Sequence, residues 1–434
     1  MTLHRSHLSL LFTTIDGGGN VAPVMGLVAR LVERGHSVRV MSDGASRDEV
    51  EAAGASFVSW TKAPNKLVRS RDSDPRDWEA PTAVAGNAAT IEQFMCGSAG
   101  LYAHDVVAEL RREAADLVVN FDMVLGVVTG CEALGQRVAL LSTMISMFPI
   151  PGLPPFGFAM TPAQSESERA AIDAANAQLE GMYDAGLAPL NSARKSLGLP
   201  AVVHTLEQLD AVAVRWLGTA RAFDFASRRA PSNLRYVGPL IRDPVDVEPW
   251  ASPWRADDAR PLVLVSFSTS FQGHIDCLQR AIDACSDLPV RVLVTLGHSV
   301  EPHEVRVGAN THVVRSAPHT RVMGEAALVI THGGHGTVMT ALMKRLPLLV
   351  IPHGRDQGDN AVRIVHRGAG LSLGNRASKD EMRGAVRRLL DEPAFAEAAR
   401  RLGDAIAEEV RLSCLIDEVE SLARGHDQPT REDP

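Results

Sequence analysis

The chain has 434 residues, of which 45% are hydrophobic and 22% charged, and its formal net charge is −8. That length suits two domains, each large enough to bury its own core, and the composition is that of a folded rather than a disordered protein. A net negative chain whose arginines are scattered argues against a general nucleic-acid binder, and five cysteines at irregular spacings without a Cys-x-x-Cys pair read as reduced thiols of a cytoplasmic protein.

From the amino terminus, the apolar run Leu8 to Ile15 is interrupted by Ser9, Thr13 and Thr14 and is too short for a signal peptide or a membrane span. Its first half, Leu8 to Phe12, predicts a strand, and Thr14 to Asn20 a glycine-rich turn. Val24, Leu27, Val28, Leu31 and Val32 then keep helical spacing up to Gly35, with Asn20 as N-cap and Pro23 in the first turn. Val38 to Met41 is the next strand. Gly17-x-Gly19-x-x-Ala22, with Asp43 after that second strand, also satisfies a dinucleotide fingerprint, so an NAD-dependent oxidoreductase is a competing hypothesis.

Residues 69–79, rich in both charges, predict a solvated loop of the kind that often covers a binding site. A helical stretch follows over 83–110, then strands at 117–119 and 138–141 flanking a helix that ends at Leu134-Gly135. The run from Met144 to Met160 mixes large apolar side chains with prolines, which forbid a regular helix or central strand. It is either a connection packed on the core or a pocket in which Met144, Met147, Phe148, Phe156 and Phe158 meet a greasy ligand. Helices are expected over 163–190, a strand over 209–215 and a proline-rich linker over 241–260.

The second half opens with the strand Leu262 to Phe267, whose following turn offers Ser268 and Thr269 to the same cleft. A helix over 275–285 and strands over 290–296 and 312–315 lead to His319. Ala326 to Ile330 is a buried strand that runs into Thr331-His332-Gly333-Gly334-His335-Gly336-Thr337, after which helical spacing continues to Leu346-Pro347. Strand, glycine turn and helix in that order expose unpaired backbone N–H groups at the positive end of a helix dipole, which suits a phosphate group. The next strand, Leu348 to Ile351, delivers Asp356, Gln357 and Asn360, and a carboxylate beside a carboxamide suits sugar hydroxyls. Residues 379–390 and 394–422 are helical by spacing, and 425–434 reads as a frayed tail. No third ligand stands at a familiar spacing beside the His332/His335 or His298/His303 pairs, so no metal site is expected.

The run from Ala317 to Ala361 resembles the nucleotide-sugar signature of the family 1 glycosyltransferases of GT-B fold: Pro318-His319, His332 to Thr337, Leu346-Pro347, Pro352, Asp356-Gln357 and Asn360-Ala361. The resemblance implies two facing Rossmann-like doubly wound α/β domains, residues 1–240 for the acceptor and 261–424 for the donor, with the last helix crossing back to the first domain. It implies that His332 and the Gly334, His335, Gly336 and Thr337 backbone hold the diphosphate, that Asp356 and Gln357 hold the sugar, and that His319 lies near the base. Three positions depart from the pattern. The usual glycine before the proline is replaced at Arg345 or Leu346, the acid expected for a ribose is Thr340, and the aromatic expected against the base is Ser316. Loss of a ribose contact would suit dTDP.

The family's first turn reads Gly-His-x-x-Pro, with histidine as the base. Here Gly19-Asn20-Val21-Ala22-Pro23 puts in its place a carboxamide, which takes no proton at neutral pH. Asp16 is the first candidate base; Asp122, the second, falls near where the family keeps the aspartate that partners its histidine, a place that Asn120 could equally take. An acceptor that ionises easily, or a carbon nucleophile, is the third alternative. The expected activity is inverting, metal-independent transfer of a hexose from UDP or dTDP to a small hydrophobic or aromatic acceptor, O-linked or C-linked, with no cofactor beyond the donor. A homodimer is compatible with it. A non-catalytic relative that binds nucleotide sugar or assists a partner is the alternative raised by Asn20.

Overall fold

Short runs of valine and leucine, buried on both faces, build two parallel sheets in this computed structural model, which describes residues 7–74, 76–227, 229–242, 250–268 and 270–425. The first sheet comprises β1 (Ser9–Thr13), β2 (Ser37–Ser42), β3 (Ser56–Ser59), β4 (Leu117–Phe121), β5 (Val138–Ser142), β6 (Val214–Leu217) and β7 (Leu234–Tyr236). Its order is β3-β2-β1-β4-β5-β6-β7. The second comprises β8 (Leu262–Ser266), β9 (Arg291–Thr295), β10 (Thr311–Val314), β11 (Ala326–Thr331), β12 (Leu348–Val350) and β13 (Gly370–Ser372), in the order β10-β9-β8-β11-β12-β13. Every described pairing is parallel, so helices must cross over to cover both faces.

In each sheet the strand order reverses once, between β1 and β4 and between β8 and β11. Open α/β sheets leave a crevice outside the carboxyl ends of the strands at such a point. The first crevice is bordered by Thr14 to Asn20 and Asp122, the second by Ser266 to Ser268 and His332 to Thr337. Among the described residues no helix is long and apolar enough to cross a membrane.

Several local expectations are corrected. The 209–215 stretch is not one strand: a short 3-10 helix, Thr205–Ala211, precedes β6, with Val212 N–H bonded to Leu209 O. The carboxyl-terminal helical run is broken at Ser413 and Cys414 into helices Pro393–Leu412 and Leu415–Ala423, and the Ser413 hydroxyl bonds to Val237 O in the first half. The second of these helices buries Leu415, Ile416, Val419 and Leu422 in the apolar cluster that holds Leu10, Phe12, Val40 and Trp216. Glu418 accepts a bond from the Trp216 indole at 2.8 Å, so the last helix belongs to the first sheet's core. Of the expected linker, residues 243–249 lie outside the described residues, as do 426–434 of the expected tail.

The two halves also meet in buried polar pairs. Arg363 and Asp224 face each other at 2.7 Å with side chains 6% and 2% exposed. Asp359 accepts the N–H groups of Gly157 and Ala159, which pins the proline-rich stretch onto the helix Gln357–His366.

Candidate active site

The phosphate-like cradle forms where β11 ends. Gly333 has φ +100°, and a Cβ there would come 2.6 Å from Val350 Cγ1. A Cβ on Gly334 would come 2.6 Å from the His332 Nε2, so the imidazole lies directly against a residue that only glycine can supply. Gly334 is the N-cap of the helix His335–Met343, whose first-turn N–H groups have no helical acceptor. His335 N–H bonds to Asp356 Oδ2 at 3.2 Å, and the N–H groups of Gly336 and Thr337 remain for a ligand, with Gly336 at the surface.

Asp356 lies at the start of the helix Gln357–His366, almost fully buried, with Oδ2 2.7 Å from Asn360 Nδ2. Asn360 Nδ2 also reaches Gly333 O at 2.9 Å, which ties the second motif to the cradle. Burial raises the Asp356 carboxyl above its ordinary value, against the pull of Asn360. Gln357 is occupied by the protein: its Oε1 accepts from His353 and Gly354 N–H, and its Nε2 donates to Gln272 Oε1 at 2.7 Å. Gln272 in turn donates to Ser268 Oγ at 2.7 Å, so Ser268 joins the same network. Thr269 lies outside the described residues. His319 begins the short helix His319–Val322 with Nε2 3.2 Å from Ser266 Oγ.

His332 is stacked on Phe267, with ring centres 6.5 Å apart, and His274 stacks on the same ring at 6.0 Å. Burial, with His353, His274 and Arg355 nearby, drives the His332 imidazole well below the usual histidine range. It therefore offers a neutral N–H donor rather than a positive charge. The His335 ring turns toward the first half and meets Phe223 edge-on, so only its backbone faces the cradle. Among the described residues no group of three or more His, Cys, Asp or Glu is placed to hold a metal ion.

On the opposite side of the cleft, Asn20 is not a helix cap through its side chain. Its Nδ2 donates to Thr14 Oγ1 and Ile15 O, and its Oδ1 accepts from Gly17 N–H, which fills the turn that a dinucleotide phosphate would need. Asp43 is equally occupied, accepting from the N–H groups of Asp16 and Lys66. Asp16 pairs with Arg69 at 2.7 Å through Oδ2 and accepts Gly18 N–H through Oδ1. Asp122, just beyond β4, is buried with Oδ1 lacking a hydrogen-bond partner. Burial pushes its carboxyl up to about 7, with Ser142 and Arg215 opposing.

Of the five apolar side chains, Met147, Phe148 and Phe156 are buried in the main core, while Met144 and Phe158 are partly buried at its edge. Phe158 lies between Gly157 and Ala159, the two residues whose N–H groups bond to Asp359 in the helix begun by Gln357.

The charged 69–79 loop is not a solvated excursion. Arg355 clamps Asp77, Phe271 N–H bonds to Asp74, Arg71 reaches Ser299 O and Glu304, and Trp78 meets Phe271 edge-on at 5.3 Å. The loop is a strap laid across the cleft onto the turn after β8. Nothing in its composition signalled the partners, because they come from residues about 200 positions or more away.

Two parallel doubly wound sheets whose switch points face one cleft, one carrying the cradle, define a GT-B fold. Residues 279–421 match the family described as erythromycin biosynthesis protein CIII-like, C-terminal domain. The chain is 29% identical to 4'-demethylrebeccamycin synthase of Lentzea aerocolonigenes over 95% of this chain and 99% of that protein. The fold is shared with the glycosyltransferase of kitacinnamycin (TM-score 0.75, 18% identity, 98% of this chain and 99% of that one). It is shared also with glycosyltransferase VinC, solved in complex with dTDP (TM-score 0.63, 17% identity, 95% and 99%). These similarities support a glycosyltransferase of natural-product type that resembles family 1.

Proposed function

We propose that this glycosyltransferase moves a hexose from a nucleoside diphosphate sugar to a small hydrophobic or aromatic acceptor, O-linked or C-linked, with inversion and without a metal ion. In this proposal residues 261–424 hold the donor, residues 1–240 the acceptor, and 241–260 join them. The observation that carries it is the cradle itself: two free first-turn N–H groups, a neutral His332 packed on Gly334, and Asp356 tied to the same turn through Asn360. Negative charge that grows on a leaving diphosphate would be met there by backbone N–H groups and the helix dipole, which need no reorganisation as charge develops.

Inversion follows if the acceptor attacks from the side of the first sheet while the diphosphate leaves toward the second. dTDP is favoured over UDP because the Thr340 hydroxyl is spent on Gly336 O at 2.8 Å, so no acid stands there for a ribose 2′-hydroxyl. Phe158 and Met144 at the edge of the cleft are the side chains offered to the acceptor, with Met147, Phe148 and Phe156 behind them.

For the proton of the acceptor, Asp122 is preferred to Asp16. Asp16 has both oxygens engaged and Arg69 against it, whereas Asp122 keeps a bare oxygen and titrates near neutrality, as a general base should. Titration calorimetry with dTDP and UDP tests the donor site: binding of one of them, weakened in His332→Ala, is expected. Absence of heat with both would end this proposal.

A further inference from the structure

Two of the ion pairs between the halves differ in how far they are sealed. Arg363 and Asp224 are almost wholly buried, whereas the side chains of Arg355 and Asp77 are 24% and 13% exposed. A sealed pair acts as a rivet, and an accessible one can exchange its anion.

The place of Arg355 in the sheet gives that exchange a purpose. It follows β12, and its Nη1 donates to Ser270 Oγ at 2.9 Å in the turn after β8. β11 lies between those two strands and all three run parallel, so the side chain passes over the carboxyl end of β11, where His332 and the cradle begin. Its charge is felt there, helping to depress the His332 imidazole and opposing the rise of the Asp356 carboxyl.

Two carboxylates of the strap already lie on this turn. Asp74 accepts the Phe271 N–H at 2.7 Å, and Asp77 takes Arg355 with both its oxygens, leaving Nη1 to Ser270. A guanidinium fork that grips a carboxylate in this way grips a phosphate equally well, and a diphosphate carries more negative charge than the single carboxylate it would replace. Beside Asp77, Trp78 rests on the turn itself, since a Cβ on Gly273 would come 3.0 Å from its ring. Trp78 nevertheless stays 37% exposed, so little apolar burial resists its release.

We propose that Arg355 is a phosphate-binding residue of the donor site and that Asp77 occupies it until the donor arrives, so that the diphosphate takes over the guanidinium and unlatches the strap. This rests on the donor site proposed above.

The test is titration calorimetry with dTDP and UDP on the full chain, on Asp77→Asn, on Arg355→Asn and on the double variant. Asparagine is chosen at 355 because it tolerates the left-handed backbone there. For the nucleotide that binds, Asp77→Asn is expected to lower Kd at least about threefold and Arg355→Asn to raise it at least about tenfold. In the Arg355→Asn background the gain from Asp77→Asn should vanish. Hydrogen exchange on the unaltered chain keeps the proposal testable if Arg355→Asn does not fold: saturating nucleotide should speed deuterium uptake at residues 76–80, the opposite of ordinary protection on binding. Nucleotide binding that Asp77→Asn leaves unchanged or weakens, or that protects residues 76–80, overturns this proposal and leaves the donor site standing. Absence of heat with both nucleotides ends the donor site and this proposal with it.

Discussion

Asp77 and Arg355 grip each other across the cleft in a two-pronged ion pair, with Oδ2 2.6 Å from Nε and Oδ1 3.0 Å from Nη2. Arg355 is the residue immediately before Asp356-Gln357, and it holds a left-handed backbone (φ +55°) to reach the strap. The strap over residues 69–79 is thereby tied to the motif proposed to hold the sugar.

Breaking that pair should free the strap. Asp77→Asn is expected to cost about 1–2 kcal/mol in urea unfolding, since the side chains are only partly buried. Amides of residues 70–80 should exchange with deuterium markedly faster in that variant. Unchanged exchange there would mean that the aromatic contact of Trp78 with Phe271, rather than the ion pair, holds the strap.

Arg345 occupies the position after the cradle helix where the family pattern carries glycine, and it has φ +63°. Leu346 N–H closes on Ala341 O at 3.0 Å, the bond pattern of a left-handed helix end. Arg345→Gly should therefore be more stable than Arg345→Ala by about 1 kcal/mol, both variants having lost the exposed pair with Asp404. Equal thermal midpoints would show that the loop relaxes out of this conformation.

Burial lowers His274 to about 3 and His353 to about 4, from an ordinary 6.5; the charge of His353 adds to the effect on His274, and that of Arg280 to the effect on His353, against the Ile351 carbonyl. A group depressed on folding takes up protons more readily in the unfolded chain. Its contribution is whole above pH 6.5 and is lost as pH falls through the folded value. His353→Gln should thus flatten the decline of unfolding free energy between about pH 6.5 and pH 4. In the unaltered protein both imidazoles should still show neutral carbon-bound proton shifts at about pH 5, well below the ordinary histidine value. Protonated shifts at that pH would contradict the buried stack around Phe267.

If Asp122 takes the acceptor proton, it must be ionised, so kcat should rise with pH through a midpoint near 7. Asp122→Asn should lower kcat by about 10²–10⁴ and remove that limb of the profile. Asp16→Asn, which releases Arg69, should leave the limb in place. A profile that keeps its midpoint in Asp122→Asn would return the role to Asp16 or to an acceptor that ionises by itself.

The sequence by itself carried the class of fold and the neighbourhood of the cradle, because both rest on local rules. Continuous Val and Leu runs specify buried parallel strands, and a strand entering His332-Gly333-Gly334-His335-Gly336-Thr337 specifies a turn into a helix with free N–H groups. The left-handed residue at 345 was visible only as a missing glycine. Tertiary structure decided what composition does not encode: which partner each charged group would find. Asp77 looked solvated until Arg355, 278 residues on, was brought against it. Asp122 was a candidate base by position alone, and its raised carboxyl and the charge of Arg215 near it came only when β4 and β6 were placed in one sheet and covered, because ionisation depends on how much water and which charges the fold leaves around a group.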